Sequence, residues 1–472
     1  MQREDRREGP KAPDGWLELV TAGRLPRFAL VCVGTWLTAA ETLMTATIMP
    51  SVARDIGGYA WFGWVIAIYM VGAIVAGATA GVLSQRLGLR RALMFGALVY
   101  AFGCCASAAA PQIGLFLAGR LLQGIGGGWV VGLCYVAVSR LFPQALWSRV
   151  LSATAGVWGA ATLLSPLVGG LFAQAGFWRG AFWLFALQGV GFVAASRLLI
   201  SAAEAPADVN PAKGLAAPLA ALSGGIVAIA TAGQTADPGP SAALGVAGCA
   251  LLFLFLRLNA RSPAALLPRS AADPVSGLGA GLAMIFALQA ATIPIDAYGP
   301  AMLQARLGAT PVVAGYILGG GALAWTVGAL AVASSKADGR FIRLGTALIL
   351  TSVIGLPLAM SRGTLFEVAV LIVLMGAGFG CAWAFTSARI VACAPESEKA
   401  IAASAVPTTQ MIGTAVGSAA AGSVANILGF GSGITAARAA SQGAWLFAAL
   451  IPLALIGAVA AWRVASPRFA PG

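Results

Sequence analysis

Apolar residues along this chain come in runs long enough to be membrane helices, separated by short polar stretches. Crossing the hydrocarbon core takes about 20 helical residues. Runs of that kind fall at about 28–50, 61–83, 91–109, 113–138, 150–173, 179–200, 215–233, 241–257, 277–302, 311–333, 342–360, 364–388, 400–424 and 442–463. The seventh is the weakest, rich in Ala and Gly, and only the turn from Gln234 to Pro240 parts it from the eighth. Polar breaks follow the sixth run, at 201–214, and the eighth, at 258–276. The pattern therefore predicts a tail (1–27), a six-helix bundle (28–200), a linker with two further spans (201–276), a second six-helix bundle (277–463) and a tail (464–472). Pro50 and Pro300, near corresponding ends of the first and ninth runs, faintly echo each other. Such division suits a carrier whose two halves rock about a midplane site.

Composition removes the soluble alternatives. AVILMFWYC residues make up 59% of the 472 positions and charged residues only 10%, against about 25% charged in globular domains. A soluble fold has too little interior to hide so much apolar surface, so the surrounding solvent is lipid. The net charge of +13 does not signal nucleic acid, because the bases stand singly or in small groups between the spans. With the N-terminus placed in the cytoplasm, 23 of the 29 Lys and Arg fall on that side and 5 on the other, with Arg120 inside a span. That bias predicts an even number of spans with both termini cytoplasmic. No signal peptide is visible. Seven cysteines without a CxxC pair and the absence of histidine leave no disulfide framework or metal site to expect, and no cofactor. Catalytic groups do not cluster at the water boundary, which argues against an enzyme, and no repeated pore-lining pattern suggests a channel.

Ionisable groups deep in a span cost about 2.5–3.5 kcal/mol on insertion scales and are the first functional candidates. Arg120 shares one helix face with Gln123 and Gly124, and Gly124 and Gly128 are spaced for close helix packing. Glu41, with Thr45 one turn on, makes a polar stripe on the first span. It is either a proton or cation-substrate carboxylate facing a cavity, or a static partner of Arg120 or another helix. Asp296 lies between Pro294 and Pro300, which are expected to bend the ninth span. It is read as cavity lining or as an interfacial cap, and Glu367 as a wet end group. Gly88 supplies the tight turn between spans two and three, where Arg86, Arg90 and Arg91 either meet acids or helix ends in one conformation or simply anchor the loop. Pro166, Gly169 and Gly170 predict a bent, close helix interface in the fifth span, and the thirteenth offers a similar set around Gln410 and Gly413. Trp158, Trp325 and Trp383 lie deeper than the interfacial tryptophans and are read as core packing or as platforms for an aromatic or cationic substrate.

These residues carry a resemblance to the major facilitator superfamily, and within it to the fourteen-span drug:proton antiporters. Gly81, Leu83, Arg86, Gly88 and Arg90 match the family's signature turn, with Gln85 in place of an aspartate and Leu89 in place of a basic residue. Arg120, Gln123 and Gly124 match the core of the fourth-helix motif. Pro166, Gly169 and Gly170 match the fifth-helix antiporter motif, which Ala161 and Ser165 depart from. Residues 41–50 resemble the first-helix motif loosely, keeping Pro50 and replacing Asp by Glu41. The resemblance covers about 28–463. It implies an all-α major facilitator fold of fourteen spans, working by alternating access as a proton-coupled exporter of drug-like or amphiphilic molecules, without cofactor. It assigns Arg120 a part in proton coupling, with Glu41 and Asp296 the candidate carboxylates, and residues 81–91 a gating role. The expected setting is a bacterial inner membrane and a functional monomer. A dedicated exporter of one metabolite, sugar or siderophore, or a uniporter of the same fold, is the alternative.

Overall fold

The computed structural model describes residues 24–201, 214–235, 237–333, 335 and 338–469. Most of the predicted N-terminal tail lies outside these, as do Lys213 and Lys336, so the charge bias is described without them. The described residues are helical almost throughout, and no strand occurs among them. The helices are α1 Leu25–Ile56, α2 Phe62–Leu87, α3 Leu89–Ala108, α4 Ile113–Leu141, α5 Gln144–Gln174 and α6 Arg179–Leu199. After them come α7 Ala216–Ala232, α8 Pro238–Arg261, α9 Gly277–Leu307, α10 Pro311–Val332 and α11 Asp338–Arg362. The chain closes with α12 Leu365–Ala392, α13 Lys399–Ile427, α14 Ala436–Ala448 and α15 Ile451–Val464.

Twelve of these segments are long and apolar enough to cross a membrane, with α14 and α15 counting as one interrupted span. The remaining two complete fourteen. α7 is apolar but has 17 residues, and α13 has 29 but carries Thr408, Thr409, Gln410 and several serines. Both are shielded by neighbours, since α13 packs against α2, α7 and α9 and α7 against α2, α8 and α13. A helix held within protein needs less apolar surface than one facing lipid. The expected bend at Pro294 and Pro300 does not interrupt α9, which runs as one helix through both.

The two halves use one packing device. In α4, Gly124 and Gly128 lie against the backbone of α2 at Tyr69 and Ala73, and Gly126 against α3 at Tyr100. In α12, Gly376 and Gly380 lie against the backbone of α10 at Gly321 and Trp325, and Gly378 against α11 at Gly345 and Ile349. Three glycines two residues apart thus bring a central helix against two neighbours in each half. A side chain there would collide with backbone, which cannot give way as a flexible side chain can.

The halves meet along two seams, α5 with α10 and α2 with α13. Both seams close at the face opposite the start of α1 and the end of α15, here the loop face. On α5, Thr162, Pro166 and Gly170 abut α10 at Gly319, Gly315 and Val312. One turn nearer the termini, Trp158 on the same helix face is 47% exposed. On α2, Gly63 touches Ser418 and Gly422, and Ala67, Val71 and Ile74 join the apolar cluster with α7 and α13, while Gly81 further down faces open space. Within the second half, a cleft of about 670 Å³ between α12 and α13, lined by Ser387, Val391, Lys399, Val406 and Pro407, lies near the termini face. The molecule is sealed at the loop face and splayed at the other.

Candidate functional site

Glu41 sits at the middle of α1 and is fully buried, and Arg120 of α4 is 2% exposed. They form an ion pair through Arg120 Nη1 and Glu41 Oε1. Thr45, one turn along α1, donates its hydroxyl to the same Oε1 at 2.9 Å. Arg120 Nη1 also donates to Gln123 Oε1 at 2.7 Å, and Gln123 Nε2 reaches Cys104 Sγ of α3 at 3.2 Å. From α2, the Val65 carbonyl accepts from Arg120 Nε at 3.4 Å, and the Tyr69 ring lies under the guanidinium, 4.4 Å from centroid to Cζ. The local sequence dictates this convergence. Gly124 lets the α2 backbone approach to contact, and Arg120, one turn earlier on α4, is thereby held over Tyr69. Glu41 Oε2 has no hydrogen-bond partner among the described residues.

A charge pair removed from water costs several kcal/mol per ion in desolvation, which its attraction offsets only with good geometry and further hydrogen bonds. Arg120 has those bonds on two helices, to the Val65 carbonyl of α2 and Gln123 of α4; Glu41 keeps one oxygen uncommitted. Chemically, this is a carboxyl group with one uncommitted oxygen, paired with a buried guanidinium that has further bonds of its own to Gln123 and the Val65 carbonyl. Of the two readings that the sequence left for Glu41, the cavity-facing one does not describe this conformation: the side chain is enclosed and paired with Arg120.

The sequence model of the Major Facilitator Superfamily matches residues 31–418. A Mycobacterium tuberculosis protein named "Probable multidrug-efflux transporter" is 31% identical over 95% of this chain and 96% of its own length. The chain belongs to the Major Facilitator Superfamily. A shorter match, 27% identical over 32% of this chain and 30% of the relative, is to Multidrug resistance protein 3 of Bacillus subtilis. Among solved structures, a peptide transporter with bound sulfate aligns over 94% of this chain and 95% of its own, at TM-score 0.69 and 16% identity. The xylose transporter of E. coli in a partially occluded inward open conformation aligns over 92% and 97%, at TM-score 0.61 and 13% identity. These two likenesses concern the fold. The protein is a multi-pass membrane protein and a secondary transporter of this superfamily.

The other singled-out residues are placed as follows in this facilitator fold. Asp296 is half-buried in α9 and makes no hydrogen bond or ion pair among the described residues. Two turns earlier, Gln289 packs on Gly413 of α13, and its Oε1 and the hydroxyl of Thr409, beside the half-buried Gln410, have no hydrogen-bond partner among the described residues. Trp325 stacks on Phe379 with centroids 4.9 Å apart and contacts Trp383 at 5.2 Å, so both tryptophans spend part of their faces on other rings; Trp158 stacks on no ring among the described residues and is 47% exposed. Gly88 turns the chain from α2 to α3 at φ +76°, a backbone state that glycine adopts without strain. Gln85, Arg86 and Arg91 are exposed and Arg90 is half-buried, and none of the three arginines forms an ion pair among the described residues. Pro166 and Gly170 touch α10, and Gly169 touches Met44 of α1. Glu367 is exposed and caps α12 with Thr364.

Two neighbours of the site, and two polar contacts away from it, carry no sequence signal. Tyr69 and the Val65 carbonyl belong to an apolar run, and only the approach of α2 to Gly124 selects them. Asp55, at the loop-face end of α1, pairs with Arg179 and accepts from Trp178 Nε1 at 3.1 Å, tying α1 to α6. Arg389, in the last turn of α12, is buried and donates to the carbonyls of Val464 and Ser466, at the C-terminal end of α15.

Proposed function

We propose that this protein is a proton-coupled exporter of drug-like or amphiphilic small molecules, and that the Glu41–Arg120 pair is its proton-coupling element. The observation that carries this is the buried pair itself: an acid with one uncommitted oxygen, at mid-helix, in a chain without histidine. A proton reaching Glu41 removes its charge and releases Arg120 from the pair. Arg120 is also held by Val65 and Tyr69 of α2, the helix that carries Phe62 and Gly63 into the loop-face seam. Protonation of Glu41 therefore acts on a helix whose position differs between the two access states, and only such differential interaction shifts the equilibrium. Asp296 assists or contacts substrate from the second half. Arg86, Arg90 and Arg91, with Gly81, Gln85 and Gly88, form the gating loop at the splayed face.

The charge bias supports placing both termini in the cytoplasm of a bacterial inner membrane, which makes the described form inward-open. Reporter fusions after residues 237 and 472 are expected to read outside and inside. The multidrug-efflux name of the mycobacterial relative, together with the apolar and aromatic surroundings of Trp158, Trp325 and Trp383, supports lipophilic cations or neutral amphiphiles as substrates, handled by a monomer. The driving force suffices. About 2.3 kcal/mol per charge at 100 mV and about 1.4 kcal/mol per pH unit sustain a gradient of roughly a few hundredfold for a neutral solute. Counterflow in proteoliposomes with labelled lipophilic cations, neutral amphiphiles and sugars is the test. Saturable, mutually competing flux of the first two classes, raised by an imposed pH gradient, is expected. Flux of a sugar alone would assign a dedicated carrier.

A further inference from the structure

The α7–α8 pair has no counterpart within either six-helix half, and nothing in the coupling scheme uses it. Its position is specific. The last four carbonyls of any α-helix lack partners within the helix. In α7, Ile229 O accepts from Ser423 Oγ at 2.8 Å, and Ala230 O accepts from Trp64 Nε1 at 3.0 Å. Ser423 belongs to α13 in the second half and Trp64 to α2 in the first, so adjacent carbonyls of one turn hold opposite halves. Just past the helix, Gln234 Nε2 donates to Ala60 O at 2.6 Å. Asn426 of α13 donates to that same carbonyl at 2.8 Å. Gly233 lies directly on the backbone of Ser423. From the outer side α8 backs α7 through the close contact of Gly248 with Gly225. All of this surrounds the loop-face seal, where Phe62 of α2 stacks on Tyr298 of α9 at 5.6 Å and meets Phe430 at 6.2 Å.

We propose that α7 is a clamp across the α2/α13 seam, and that Trp64, Ser423 and Gln234 are positioning residues that set how often the loop face opens. Opening that face requires α2 and α13 to part at Gly63, Ser418 and Gly422. A single helix turn can follow only one of them; with Gly233 lying on the backbone of Ser423, α7 stays with α13, and its bonds to Trp64 and to the Ala60 carbonyl are made in the sealed state and lost in the open one. An interaction present in one state alone moves the balance between them. The two-helix insert thus biases the transporter toward its loop-face-closed form. The inference requires alternation of access; it does not require proton coupling or any particular substrate.

Trp64→Phe keeps the ring and removes the N–H; Ser423→Ala removes the hydroxyl. Of the two bonds removed, the one to Trp64 is lost on opening and the one to Ser423 holds α7 on α13, so the double variant is expected to raise the ratio of loop-face-open to sealed molecules about fivefold. Hydrogen–deuterium exchange of the full chain in lipid nanodiscs reads this at both faces. In the double variant, uptake should rise in 57–66 and 418–434 and fall in 76–92 and 150–162, where the splayed face closes. Thr231→Val, which removes a hydroxyl bonded only within α7 to Val227 O, should leave both faces as they are. Gln234→Ala, the mildest change, should move both faces in the direction of the double variant by roughly threefold, and it serves if the double variant does not fold. Unchanged uptake, or loosening at the loop face without matching protection at the other, would overturn the clamp.

Discussion

In α4, the residues four and one positions before Gly124 are Arg120 and Gln123; the same steps back from Gly376 in α12 give Ile372 and Met375. Both sets are buried, and both helices press the same glycine spacing against two neighbours. One half therefore builds the arrangement around an ion pair and the other around aliphatic side chains. The acids differ in parallel. Glu41 in α1 is enclosed and paired, whereas Asp296 in α9 is half-buried and without a partner among the described residues. Helix packing of this kind does not need the charges, since the second half manages without them. Burying them is a cost that stability alone does not explain, which points to a task in the transport cycle.

The strongest way to break this comparison is to unpair one side. Arg120→Ala leaves a carboxylate in an enclosed site and is expected to cost about 3–5 kcal/mol, read as a fall in thermal unfolding temperature, with loss of gradient-driven transport. Arg120→Lys should rescue poorly, because an ammonium lacks the planar donor fork. Converting the first half to the chemistry of the second, Glu41→Leu with Arg120→Leu, should recover most of that stability and none of the coupling. If the double variant is as unstable as Arg120→Ala, the pair is structural after all.

The shared glycine device gives the next largest effect. Gly124→Ala and Gly376→Ala each drive a methyl into backbone, of α2 at Tyr69 and of α10 at Gly321. Each is expected to destabilise by about 1–3 kcal/mol, and by similar amounts, since the geometry is the same. A large difference between them in thermal unfolding would show that the halves are not packed alike. The smallest effect is expected at Asp296. Asp296→Asn exchanges a carboxyl without a partner among the described residues for an amide of the same size, so it should leave unfolding within about 1 kcal/mol of the parent. Its signature is a several-fold change in the relative affinity for cationic over neutral substrates, measured by competition, with the pH dependence of transport unmoved.

Most of the fold was legible in the chain, because membrane helices announce themselves by length and apolarity and the short loops carry the charge bias. The exceptions have physical causes. α13 reads as a span in the chain at 400–424, but its polar residues belong among the protein neighbours that shield it, which only the fold shows. The last span reads as one run but turns at Ala449 and Leu450. At the site, Arg120, Gln123 and Glu41 stood out because charge in lipid is costly. That Arg120 and Glu41 are joined was only one of two readings, since 79 residues separate them and no spacing rule spans that distance. Tyr69, the Val65 carbonyl, the Asp55–Arg179 pair and the buried setting of Arg389 are products of tertiary approach and were not legible at all.

Proton-driven accumulation by Glu41→Gln tests the central claim most directly. The glutamine keeps the volume and the acceptor for Thr45 and Arg120 while fixing the site in its neutral form. In proteoliposomes with an imposed pH gradient, this variant should exchange labelled substrate across the membrane but fail to accumulate it against a gradient at any pH. Uphill transport with the parent's pH profile would contradict the account and remove the Glu41–Arg120 pair from the coupling mechanism.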